Sequence, residues 1–138
     1  MIKIERIEIL KTVLRLTRHP ADADRITALR MAFGDDVKIV GNDLLYGSDP
    51  VSAVVELLAK HEGVVAIEPI APFPVLTRLV EGQRQLGEVL ILRAQFKRDA
   101  SGRAIVSGKD ETGRDLLVFE RYEVLERIEV KTRPLTSP

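Results

Sequence analysis

Residues 11–34 read KTVLRLTRHPADADRITALRMAFG, and this stretch decides the fold. Residues 12–17 (TVLRLT) form a short apolar run of strand composition, and Arg18, His19 and Pro20 follow it. A helix is then expected over residues 22–33. Asp22 or Asp24 can cap it, because a short carboxylate accepts from the free N–H groups of a first helical turn. Ile26, Leu29, Ala32 and Phe33 recur at helical spacing on one face, and Gly34 stands where a helix end tolerates positive φ.

The same strand–helix pattern repeats twice. Residues 37–40 read as a second strand, residues 41–49 (GNDLLYGSD) as a loop, and residues 50–61 as a helix opened by proline, whose missing N–H costs nothing at that position. Val51, Val54, Val55 and Leu58 give its apolar stripe, and Gly63 stops it. Residues 64–68 are a third strand. Pro69, Pro72 and Pro74 then punctuate a loop before a shorter helix over residues 74–81, which is expected to fray through residues 82–87.

At Gly87 the period changes from helical to alternating. Residues 88–97 read as a strand, 99–102 (DASG) as a hairpin turn and 103–107 as its partner. A turn near residues 110–113 leads to a long strand or pair of strands over 116–130, with Tyr122, Val124, Ile128 and Val130 on one face. A near-repeat, ERIEI at residues 5–9 and ERIEV at 126–130, suggests two charged edge strands, since charge on an edge discourages intermolecular pairing. The expected architecture is a Rossmann-like, three-layer α/β fold in one domain spanning residues 1–138. Parallel strand–helix units occupy residues 11–87, antiparallel hairpins extend them over 88–133, residues 1–10 form an edge strand, and 134–138 form a loose tail.

Composition narrows the function classes. The chain has 138 residues, enough to bury about two-thirds of its unfolded surface. Aromatics make up 4% with no Trp, which disfavours the aromatic platforms of single-strand binders. Lys plus Arg and Asp plus Glu are each 21, so the formal charge is zero and non-specific nucleic-acid binding is not expected. A local cationic pocket for a small anionic ligand remains open. There is no Cys, hence no disulfide and no thiolate site. No apolar run approaches the ~18 residues of a membrane span, and the N-terminus lacks a signal-peptide core, so a cytoplasmic location with no membrane partner is the expectation.

In such a sheet, ligands bind beyond the carboxyl ends of the strands, where helix N-termini also point. Thr17, Arg18 and His19 stand there after the first strand. Arg18 offers a forked cation suited to phosphate, and His19 carries an imidazole, a side chain suited to acid–base work. The plain alternative is a solvated turn. Ser48 can donate to a phosphate or simply help open its helix. Glu68 can orient a ligand hydroxyl or serve as a base, or else pair with a nearby cation. Arg93 interrupts an apolar run and reaches the same crevice if its strand lies beside the first. His61 suits a helix C-terminal dipole better than a ligand. There is no G-x-G-x-x-G after the first strand, no P-loop, no H-E-x-x-H and no G-x-S-x-G, so no cofactor and no metal is expected.

At Thr17-Arg18-His19-Pro20, directly after the first strand, the chain resembles the small stand-alone CRISPR-associated proteins of Rossmann-like (CARF-like) fold, several of which are ring nucleases that bind or cleave cyclic oligoadenylate. Residues 64–82, a strand running into a proline-containing loop and short helix, are placed similarly. The resemblance implies a homodimer that binds a cyclic oligonucleotide across its two-fold axis. It further implies metal-independent cleavage in which a ribose 2′-hydroxyl attacks the adjacent phosphate. Arg18 and His19 would then be catalytic, Arg18 stabilising charge and His19 moving the proton, while Thr17 and Ser48 supply neutral hydrogen bonds. The competing expectation is a non-catalytic interaction or regulatory module that presents its C-terminal strands to a partner; an exposed apolar face over residues 116–130 would favour it.

Overall fold

The computed structural model describes residues 10–129 and 132–135. The chain runs β1 (Thr12–Leu16), α1 (Ala23–Phe33), β2 (Lys38–Gly41), α2 (Pro50–Leu58), β3 (Val64–Pro69), α3 (Phe73–Glu81), β4 (Leu90–Phe96), β5 (Val106–Lys109), β6 (Asp115–Leu117) and β7 (Phe119–Val124). Five strands form one sheet in the order β2-β1-β3-β4-β7, and β5 and β6 form a separate two-stranded sheet. β1, β2, β3 and β4 are mutually parallel, and β7 closes the sheet antiparallel to β4. This is the Rossmann-like α/β arrangement of parallel strand–helix units with an antiparallel extension.

β1 lies between β2 and β3, and all five of its residues are buried. Strand alternation sends Leu14 and Leu16 to one face, where they meet Val54 and Leu57 of α2, Leu79 of α3, and Ile67 and Ile91 of the neighbouring strands. Val13 points the other way and packs with Leu29 of α1, Ala66 and Leu92. Helices therefore cover both faces, α2 and α3 on one and α1 on the other. The register between β1 and β3 shifts at Thr12/Val13, which opposes residues 64–66 to only two residues of β1 and lets both Val65 and Ala66 pack on the α1 side.

The helices follow the expected signals with local differences. α1 is capped by Asp22, whose side chain accepts from Arg25 N at 2.9 Å, and Gly34 ends it at φ 107°. Within its expected apolar stripe Ala32 is exposed, and Leu29 is the buried member. α2 is capped by Asp49 and stops at Leu58, short of the expected residue 61. Residues 82–87, expected to fray, instead hold a 3-10 turn (Gln83–Leu86) that buries Leu86. Gly82 makes this possible, because a Cβ there would sit 2.5 Å from Val51 Cγ2 and 3.3 Å from the Arg78 carbonyl oxygen. Gly82→Ala is expected to cost about 1–3 kcal/mol by overpacking α3 against the stiff valine of α2, measured as a lower urea midpoint at unchanged slope.

The C-terminal part departs from simple hairpin succession. β4 was expected to pair with residues 103–107, but only the isolated bridge Arg98↔Ala104 joins those segments, and the partner of β4 is β7. The reason is burial: β7 brings Phe119 and Tyr122 to the sheet, whereas every residue of β5 is exposed. The turns expected near residues 99–102 and 110–113 are one device used twice. Asp99 Oδ1 accepts from the N–H groups of Ser101 and Arg103, Asp110 Oδ1 does the same for Thr112 and Arg114, and Gly102 and Gly113 take φ of 85° and 84°. The expected run over 116–130 is divided into β6 and β7, and among the described residues 125–129 carry no strand. The edge strand expected at residues 1–10 lies outside the described residues except for Leu10, as do Val130 and residues 136–138. Among the described residues, no helix is long and apolar enough to cross a membrane.

Candidate functional site

The carboxyl ends of the parallel strands are organised by a charged residue inside an apolar strand. Arg15 sits within VLRL of β1, its side chain 4% exposed, and Glu68 sits at the end of β3, its side chain 2% exposed. Both lie on the α1 side of the sheet, since β1 pairs Arg15 with Glu68 in register. Arg15 Nε donates to Glu68 Oε1 at 2.7 Å, and Tyr122 Oη of β7 donates to the same oxygen at 2.7 Å. Burial, and next the hydrogen bond to Glu68 and its charge, hold the Tyr122 phenol far above its ordinary value, with Arg15 and Arg25 opposing. Tyr122 therefore serves as a protonated donor to Glu68 near neutral pH.

The pair also shapes the turn that follows β1. Arg15 Nη1 donates to the His19 carbonyl at 2.8 Å, and His19 N donates to Thr17 Oγ1 at 3.2 Å. Asn42 N donates to the Arg15 carbonyl at 2.8 Å, tying the loop after β2 to the same strand end. Between these two loops opens a cavity of about 590 Å³ lined by Arg15, Thr17, Arg18, His19, Ile39 and Asp43, among others. That volume falls in the ~300–1,000 Å³ range of small-molecule sites. Arg18 and His19 are exposed on its rim, and Thr17 is buried in its floor. Thr17 Oγ1 accepts from His19 N, which leaves its hydroxyl proton and one lone pair for a ligand.

The residues singled out in the sequence separate into groups. Thr17, Arg18 and His19 share this first cavity. Glu68 and Arg93 line a second one at the ends of β3 and β4, and β3 stands between β4 and β1, so Arg93 does not reach the first crevice by lying beside β1. Ser48 lines neither. It is exposed, its carbonyl accepts from Arg78 Nη1 at 2.8 Å, and the neighbouring Asp49 caps α2. The N-terminus of α1 is less open to an anion than its position suggests, since the Asp22 carboxylate already takes the Arg25 N–H.

The sequence does not single out Arg15, Arg25 or Tyr122 as site residues, and it offers Asp43 only as part of the polar loop over residues 41–49. A signal existed for the first: an Arg within TVLRLT and a Glu within VVAIEP are opposite charges in two runs otherwise fit for burial, and buried charges demand partners. Among the described residues, no three metal-ligating side chains cluster. A scan against protein-family models, a search of curated proteins and a search of solved structures each found no match.

Proposed function

We propose that the protein binds a small anionic nucleotide in the first cavity and, following the resemblance at Thr17-Arg18-His19-Pro20, that cyclic oligoadenylate is the ligand it binds and cleaves. The observation that carries this reading is the convergence of Arg15, Arg18 and His19 on one cavity faced by a single carboxylate, Asp43. Arg18 is the group for the phosphate, because Arg15 is already committed to Glu68 and the His19 carbonyl. In the cleavage step the ribose 2′-hydroxyl attacks the adjacent phosphorus, the P–O5′ bond breaks, and the products are a 2′,3′-cyclic phosphate and a 5′-hydroxyl. His19 relays the proton to or from these oxygens, and Arg18 balances the charge that builds on the phosphoryl oxygens. A cyclic ligand would span two copies of the chain, so the reading includes a homodimer, which light scattering at tens of micromolar tests directly.

Calorimetric titration with cyclic oligoadenylate tests the binding. Arg18→Ala is expected to weaken it by about 1.5–3 kcal/mol, the range for a hydrogen bond to a charged group. An unchanged affinity would remove Arg18 from the site. A second reading, an interaction module, is favoured by one observation: Leu116 and Leu117 are exposed on β6, and so are Ile105 and Val106, the latter paired with Leu117.

A further inference from the structure

A second cavity, of about 190 Å³, lies at the carboxyl ends of β3 and β4. Glu68, Arg25 and Arg93 line it together with Ile70, Leu76 and Phe96. Glu68 is almost wholly buried, and both of its hydrogen bonds end on Oε1. Among the described residues Oε2 accepts none, which leaves a carboxylate oxygen for a donor in the cavity. A free anion is disfavoured by the Glu68 carboxylate, although Arg15 pairs with it, and a simple cation by the guanidinium groups of Arg93 and of Arg25, the latter paired with Asp22. A neutral heterocycle bearing an amino group meets neither obstacle. Arg25 is also held as a plane, with its guanidinium 5.2 Å from the Phe119 ring centre and 5.7 Å from that of Phe96. Guanidinium planes and apolar side chains are surfaces on which bases stack.

The placement of the two cavities carries the argument further. The first lies over β2 and β1 and the second over β3 and β4, in a sheet ordered β2-β1-β3-β4. Their centres are thus two strand steps apart, about 10 Å at ~4.8 Å per step. A nucleotide reaches about that far from its phosphate to the outer edge of its base.

We propose that the second cavity is a nucleobase slot: it takes an amino-bearing base whose phosphate lies on Arg18, with Glu68 Oε2 accepting the amino N–H and the Arg25 plane against the ring. This rests on reading the first cavity as a phosphate site, and adds recognition of the base. The test is calorimetric titration of the wild-type, Ala71→Leu and Arg18→Ala proteins with AMP, ribose 5-phosphate and adenosine. Ala71 is a half-buried loop residue on the slot wall, so leucine fills the slot while the Arg15–Glu68 pair stays intact. AMP is expected to bind at least about tenfold more tightly than ribose 5-phosphate, as one stacked base provides. Ala71→Leu should cancel that advantage and leave ribose 5-phosphate unchanged, whereas Arg18→Ala should weaken both phosphates. Equal affinities for AMP and ribose 5-phosphate, or an advantage that survives Ala71→Leu, overturn the slot and leave the phosphate reading standing. Adenosine binding that Ala71→Leu abolishes, with AMP indifferent to Arg18→Ala, supports the slot and overturns the phosphate reading. Absence of binding by all three compounds overturns both.

Discussion

Glu68→Ala is expected to destabilise the protein by about 3–5 kcal/mol, the cost of leaving one member of a buried ion pair without its partner. The carboxylate it removes is bonded to Arg15 and Tyr122, and both would be stranded: a guanidinium 4% exposed and a phenol donor behind it. The loss is of the complete network rather than of an attraction alone. The double variant Arg15→Met, Glu68→Leu should therefore recover part of the stability, because it removes the buried charges together and fills their volume with apolar atoms, while the Tyr122 hydroxyl still lacks its acceptor. Urea denaturation at neutral pH checks both. A single-variant loss below about 1 kcal/mol would mean that water from the adjoining cavities reaches Arg15 when Glu68 is gone. The double variant should also loosen the turn at His19, since its carbonyl would lose the Arg15 Nη1 donor.

How far the fold can be read from the sequence follows from which contacts are local. The three strand–helix units announce themselves through runs such as TVLRLT and VVAIEP and through caps and stops at Asp22, Gly34 and Asp49, all of which act within a few residues. The partner of β4 is not local. Residues 103–107 are nearer in sequence, but residues 119–124 bring Phe119 and Tyr122 to be buried, and only the sum of contacts across the sheet decides between them. The 3-10 turn over Gln83–Leu86 was illegible for the same reason: Leu86 is buried against a core assembled from β1, α2, α3 and β4.

The site was legible in position more than in connection. The rule that ligands sit beyond strand carboxyl ends selects Thr17, Arg18 and His19 from the sequence, and a cavity lies there. The rule cannot tell which strand ends share a cavity. That depends on the strand order, which places β3 between β1 and β4 and so assigns Arg93 and Glu68 to a different opening from Arg18. The Arg15–Glu68 contact spans 53 residues of sequence. It was foreshadowed only by the expectation that a carboxylate ending a buried strand finds a nearby cation.

His19→Ala is expected to slow the proposed cleavage of cyclic oligoadenylate by about 10²–10⁴-fold, the usual loss when an acid–base group is removed. Its effect on binding should be small, because the proposed phosphate contact belongs to Arg18 and the cavity wall is otherwise intact. The backbone supports this separation. The His19 carbonyl is held by Arg15 and its N–H by Thr17, so alanine can occupy the same turn while only the imidazole is lost from the rim. Single-turnover cleavage with enzyme in excess isolates the chemical step, and calorimetry on the same preparation reports binding. Arg18→Ala provides the contrast, since it should weaken binding and cleavage together. Equal turnover by wild type and His19→Ala would take the imidazole out of the reaction and leave the cavity as a binding site alone. A loss of binding as large as the loss of rate would make His19 a ligand contact instead, and the proton transfer would then have to fall to Asp43, the carboxylate on the same cavity wall.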